Sequence, residues 1–190
     1  MERTLRAGCD NQHAEQRAPP VGLGHAAADC PGVPGRCAVS DSLTTIIPTD
    51  PTWVPEPEQE SLAVDMVKEF LAEHHEFTLE RPDKVTLYTG YELFESIHCP
   101  FCATELDIQP WWTNQLDAAW RPDTGFSALD VATPCCGRPT SLNDLTYTST
   151  QGFASWAITV RDPLADLYPD QIRDIEEALG HEIRIVYAHI

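Results

Sequence analysis

Four cysteines set the strongest limit on how this chain can fold. They stand in two tight groups, Cys99-Pro100-Phe101-Cys102 and Cys135-Cys136-Gly137, with 32 residues between them. A Cys-x-x-Cys turn brings two sulfurs close enough to share one tetrahedral ion, and its own backbone amides can donate to the thiolates. The long separation lets the intervening residues fold out while both ends return to one point. Zinc takes four soft ligands without redox chemistry, and a reducing compartment keeps such thiols free. Zinc is therefore the expected cofactor, and a site drawn from two distant segments would couple metal binding to folding. Three other readings compete with it. The thiols can be small core residues without metal. Cys99 and Cys102 can form a redox pair, which would need the start of a helix just after a strand; Pro110 interrupts any long helix there. A catalytic zinc would need an open position, which four thiolates do not leave.

The two groups resemble a zinc-ribbon or zinc-knuckle module over about 40 of the 190 residues. Cys99 and Cys102 match the first knuckle, and Cys135 or Cys136 with Gly137 matches part of the second. The resemblance implies one zinc held by Cys99, Cys102, Cys135 and Cys136, as a structural element or an interaction platform. The usual second pair is separated by two residues, whereas here the cysteines are adjacent. Both can ligate only if the backbone turns sharply, so His98, another histidine or a carboxylate is the alternative fourth donor. The stretch CCGRPTSLNDLTYTSTQGFASW is also similar to bacterial zinc-ribbon-containing proteins, a likeness that implies no activity.

Outside the cysteines, the chain divides near Pro57. The first 56 residues hold one of sixteen aromatics, Trp53, and seven of sixteen prolines. Such composition offers little apolar surface against the entropy of ordering the chain. We expect residues 1–56 to be a mostly disordered extension, with a short strand over Ser42–Ile47 as the alternative, and Cys9, Cys30 and Cys37 to be incidental thiols. Residues 57–190 are expected to form one compact α+β domain of short strands and helices with the cysteine module at 99–137. Leu62, Met66 and Phe70, with Ala63, Val67 and Leu71 beside them, predict an amphipathic helix ended by His74 and His75. Lys84–Tyr88 and Tyr91–Ile97 read as strands around a Gly90 turn. Trp111–Trp120 reads as a second helix, Phe126–Val131 as an extended segment, and Phe153–Val160 as one strand. A helix capped by Asp170 and stopped by Gly180 then precedes a strand from Ile183. Ser141 or Asn143 is expected to cap a turn around Leu142 and Leu145. The tryptophans and Phe153 around the module are expected to pack, with any exposed subset serving as interface anchors.

Charge narrows the function. The chain carries 12 Lys and Arg against 30 Asp and Glu, for a net charge of -18. Residues 57–190 hold 8 against 23, a balance of -15. That opposes nucleic-acid backbones and polybasic membrane anchoring, and favours a basic protein partner. No apolar run reaches the length of a spanning helix, and the start of the chain lacks a secretory pattern, so a cytoplasmic location is expected. Gly-rich phosphate loops, the HExxH pattern and the Gly-x-Ser-x-Gly elbow are absent. Glu92, Glu95 and His98 are polar neighbours of the first knuckle, and Glu95 with His98 is a candidate orienting pair. The favoured expectation is a non-catalytic, zinc-stabilised interaction or regulatory protein of an inhibitor or immunity type. The alternative is a small metalloenzyme or thiol oxidoreductase using the Cys99–Cys102 region. Titration of the chain with duplex DNA at physiological salt should show no stable binding; micromolar, salt-sensitive association would reveal a basic patch absent from the linear pattern.

Overall fold

The computed structural model describes residues 41–72, 76–91 and 93–190, which belong to a unit running from Ala38 to Ile190. The expected extension lies outside the described residues as far as residue 40, as do His74, His75 and Glu92. In order come β1 (Ser42–Pro48), α1 (Pro57–Phe70), β2 (Glu76–Glu80), β3 (Thr86–Tyr88), β4 (Ile97–His98) and β5 (Glu105–Leu106). Next are α2 (Thr113–Ala119), β6 (Trp120–Arg121), β7 (Gly125–Phe126), β8 (Asp130–Ala132) and β9 (Pro139–Ser141). The chain closes with β10 (Thr146–Tyr147), β11 (Gly152–Ala154), β12 (Ala157–Arg161), α3 (Pro169–Leu179) and β13 (Ile183–His189). This is the mixed α+β class expected. Among the described residues no helix is long and apolar enough to cross a membrane.

The principal sheet has the order β13-β1-β12-β2, antiparallel throughout. β1 is an interior strand, so the boundary expected at Pro57 falls too late. Ser-Leu-Thr-Thr-Ile-Ile is a β-branched run that suits a strand covered on both faces. Ile46 and Ile47 are fully buried on opposite faces, each contributing about 1.5–3 kcal/mol. On one face Ile46, Trp156, Ile158, Val160 and Ile183 meet Ala63, Val67, Leu71, Ile175 and Leu179 from the two long helices. Phe77 and Leu79 of β2 complete that face. Sequence reading overlooked β2, although Phe77 and Leu79 alternate with Glu76, Thr78 and Glu80 as a half-buried strand should.

Both helices begin with proline, whose missing N–H is no loss in the first turn. The Gln59 side chain accepts from Glu56 N in α1, and Gln171 accepts from Tyr168 N in α3. Tyr168, rather than the expected Asp170, is thus the cap residue of α3. The α1 stripe is centred on Ala63, Val67 and Leu71, leaving Leu62 exposed, one position off the expected phase. Gly180 ends α3 at φ 66°, as expected of the left-handed stop. Between the helices, Gln59 Nε2 donates to Leu179 O at 2.7 Å. Buried Glu60 accepts from Trp156 Nε1 at 2.8 Å and is paired with Arg81.

A second core collects Ile97, Cys99, Leu106, Trp112, Ala119, Leu142, Leu145 and Phe153. Among the described residues the expected hairpin across Gly90 does not form. β3 pairs instead with β11, because the expected strand Phe153–Val160 breaks at Ser155-Trp156 and serves two sheets. Residues 93–96 turn back through Leu93 N to Gly90 O and Phe94 N to Tyr91 O. The expected Trp111–Trp120 helix is present as a π-helical turn through Trp112 that runs into α2, with Trp112 buried and Trp120 alone beyond its end, exposed in β6.

Asn143 clasps this second core to the principal sheet. Ser141 Oγ accepts from Asn143 N at 3.1 Å, the expected cap of the Leu142–Asp144 turn. The buried Asn143 amide donates to Thr49 O at 2.8 Å and accepts from Phe153 N and Arg184 Nη1, both at 3.1 Å. Arg184, on β13, also donates to Asn143 O and to Asp144 Oδ1. A side chain at Gly152 would strike Ile47 Cδ1 at 2.7 Å and crowd Asn143 Oδ1 at 3.3 Å. The bare glycine therefore allows this closure. Chains starting at Ala38 and at Pro57 should differ sharply by circular dichroism and thermal melting. The first is expected to melt cooperatively, and the second, without β1, to lose cooperative unfolding; a cooperative melt from the second would contradict the placement of β1.

Candidate metal centre

Each cysteine group sits at the tip of a short antiparallel hairpin. β4 and β5 flank the first, with Ile97 opposite Leu106; β8 and β9 flank the second, with Ala132 opposite Pro139. The two tips are the same backbone turn. Cys99 N donates to Thr104 O at 2.9 Å, and Thr133 N donates to Arg138 O at 3.0 Å. Ala103 N returns to Cys99 O at 3.0 Å, and Gly137 N returns to Thr133 O at 2.8 Å. Ala103 has φ 55° and Gly137 has φ 68°, so each turn closes through one left-handed residue. Cys99-Pro-Phe-Cys-Ala-Thr104 thus superposes in role on Thr133-Pro-Cys-Cys-Gly-Arg138.

This equivalence answers how adjacent cysteines reach one point. The first turn presents sulfurs from its first and fourth positions, and the second presents them from its third and fourth. Thr133 occupies the place that Cys99 holds in the first turn, and both are buried. No sharper bend is needed. Cys99 Sγ lies 3.8 Å from Cys136 Sγ, and Cys102 Sγ lies 3.4 Å from Cys135 Sγ. All four sulfurs fall within 4.8 Å of one another. A tetrahedron with metal–sulfur bonds of about 2.3 Å has sulfur separations of about 3.8 Å. The four cysteines form one all-sulfur cluster.

The surroundings favour charged sulfur. Phe101 N points at Cys99 Sγ from 3.5 Å, Thr104 Oγ1 lies 3.3 Å from Cys102 Sγ, and Thr133 Oγ1 lies 3.2 Å from Cys136 Sγ. Burial pushes the Cys99 thiol up, but the amides of Phe101 and Cys102 and neighbouring thiols outweigh it and bring it to about 6. Cys102 is lowered first by the Thr104 hydroxyl and then by its amide. Cys135, though exposed to solvent at its edge, is driven up to about 12 by desolvation from the atoms packed around it and by the sulfurs of Cys102 and Cys99. Four like charges cannot gather here unaided, and a divalent cation reverses that balance. Arg138, from the second turn, stacks over the Phe101 ring of the first at 3.8 Å, a cation–π contact that joins the two tips. Cys99 is buried, whereas Cys102, Cys135 and Cys136 are exposed.

His98 stands outside the cluster, on β4 opposite Thr146 and Glu105. The four sulfurs make a histidine donor unnecessary. Among the described residues, no hydrogen bond or ion pair joins exposed Glu95 to His98. Cys99-Pro-Phe-Cys102 forms a hairpin tip rather than a helix start, unlike a thioredoxin-type pair. Thr133 and the Phe101–Arg138 stack escaped the sequence reading, although the shared pattern of Cys or Thr, Pro, x, Cys, then Ala or Gly was available to find the repeated turn. No family model, curated protein or solved structure matches the chain. The likeness to zinc ribbons accordingly rests on the two turns themselves.

The left-handed positions give a direct check. Gly137 has open space around a would-be Cβ, so Gly137→Ala carries only backbone strain. Denaturant unfolding should show it destabilised by about 1 kcal/mol. Ala103→Gly, at the matching position, should be neutral or stabilising. The opposite order would contradict the equivalence of the turns.

Proposed function

We propose that Cys99, Cys102, Cys135 and Cys136 bind one zinc ion, and that its role is structural. The convergence of four sulfurs at tetrahedral spacing carries this reading. Thiolate donors are soft, zinc needs no further ligand once four are in place, and the closed set suits a cross-link better than a Lewis acid. Bound zinc would join the β4–β5 tip to the β8–β9 tip, and through Cys99 the second core. The binding free energy then becomes folding free energy.

The protein so stabilised acts as a non-catalytic interaction or regulatory protein, of an inhibitor or immunity type, in a reducing cytoplasmic setting. The acidic surface supports this reading, because it speeds encounter with a basic protein and repels nucleic acid. Exposed Phe101 and Trp120 provide aromatic anchors of the kind interfaces use. A cognate partner should therefore be basic, with an association rate that falls as salt is added.

Metal analysis of reduced, purified protein should find one zinc per chain. Cys99→Ser and Cys102→Ser should lose zinc and stability together, by about 3 kcal/mol or more. Replacing Cys135 and Cys136 one at a time should lower zinc affinity in both cases. Replacing Cys9, Cys30 or Cys37 should leave zinc content unchanged. Normal folding without metal, with Cys99→Ser equally stable, would overturn the reading.

A further inference from the structure

The principal sheet has a second face, turned away from the two long helices. There Leu43 and Thr45 of β1, Thr159 of β12, Glu80 of β2 and Val186 of β13 share one side. A cavity of about 240 Å³ opens between that side and Tyr88. Its volume is below the roughly 300–1,000 Å³ of drug-sized pockets, so any guest is small.

Glu80 stands at this cavity, half-buried and held in place. Its Oε1 accepts from the Thr159 hydroxyl at 2.6 Å, and its Oε2 accepts from the Tyr88 hydroxyl at 3.2 Å. Thr45 Oγ1 lies 3.2 Å from Thr159 Oγ1 and can supply the hydrogen that leaves the Thr159 proton for Glu80. Burial, and then the charge of Glu80, raise the Tyr88 pKa well above its ordinary value. Tyr88 thus remains a hydroxyl donor. Among the described residues no Lys, Arg or His forms an ion pair with Glu80. The two arginines on the same sheet face are committed elsewhere: Arg161 to Asp41 at 3.2 Å and Glu76 at 3.6 Å, and Arg184 to Asn143 at 3.1 Å and Asp144 at 3.2 Å. A partly desolvated carboxylate fixed by two hydroxyls, with no cation of its own, is costly unless one is supplied.

We propose that this cavity binds a small organic ammonium ion, its cationic head on Glu80 and its apolar body against Leu43, Val186 and the Tyr88 ring. Each Glu80 oxygen accepts one hydroxyl and keeps a lone pair for the ammonium hydrogens. The aliphatic walls select a hydrocarbon body over a hydrated metal ion. The site is separate from the cysteine cluster and does not depend on what that cluster binds.

The test uses the full chain, with benzylamine as the probe and benzyl alcohol as its neutral match. Amide NMR shifts are followed at about 0.15 M salt, where diffuse attraction to an acidic surface is screened. Benzylamine should saturate one site, with shifts centred on Glu80, Tyr88 and Thr159, and benzyl alcohol should bind at least tenfold more weakly. Glu80→Gln, which keeps the volume, should lose about tenfold in affinity, or about 1.4 kcal/mol. If that variant melts early, Glu80→Asp, which keeps the charge but draws the carboxylate back from the cavity, should still weaken binding several-fold. An Nα-acetyl-lysine amide carries the same head group; tighter binding than benzylamine would assign the site to lysine side chains, and weaker binding to free amines. Equal binding of amine and alcohol, undiminished affinity in a folded Glu80→Gln, or non-saturating shifts scattered over the acidic surface would each overturn the proposal.

Discussion

The meeting of four sulfurs at one point is the constraint on which the second half of the molecule depends. The hairpins that carry them have strands of two or three residues, far short of what an isolated hairpin needs to persist in water. Hydrogen bonds across such strands cannot offset the entropy of ordering two turns and the loop between them. A tetrahedral ion can, because it removes the mutual repulsion of the thiolates while fixing four backbone positions at once. The negative charge that four thiolates leave on such a centre is met by the amides and threonine hydroxyls beside the sulfurs. Cys99 extends the effect inward, since its buried side chain packs with Ile97, Leu106 and Trp112 in the second core.

The first half of the fold is stabilised differently. Its sheet and two helices bury a continuous apolar layer around Trp156, whose indole N–H is satisfied by Glu60. β1 is the keystone of that layer, because it pairs on both edges and is covered on both faces. Asn143 and Arg184 then connect the two halves through satisfied polar contacts. A buried amide that donates to Thr49 and accepts from Phe153 fixes one relative position of these segments, where apolar packing alone tolerates several.

The parts of this arrangement that depend on local spacing were legible. Cys-x-x-Cys, the later Cys-Cys-Gly, the Gly180 stop and the Ser141 cap all act over a few residues, and the structure contains each of them. Features set by long-range pairing were not. The Ser42–Ile47 strand was readable only as an alternative, because it lies in a proline-rich context; its partners β12 and β13 make it an interior strand. Phe153–Val160 reads as one continuous strand, yet Ser155 turns to Pro51 O and sends the two halves to different sheets. The phase error at Leu62 has a similar origin, since the sheet chooses which flank of a broad apolar stripe it covers. Glu80 carried no signal at all. Its isolation from positive charge follows from the register that sets it beside Ala157 and near Thr159, with Arg161 committed elsewhere.

The central claim concerns which atoms surround the metal, and X-ray absorption at the zinc edge reads that shell directly. Four sulfurs at about 2.3 Å, without nitrogen or oxygen neighbours, are the expected result for the wild-type chain. A shell of three sulfurs and one nitrogen would return the fourth position to histidine, and would contradict the matched turns that bring Cys135 and Cys136 to the ion together.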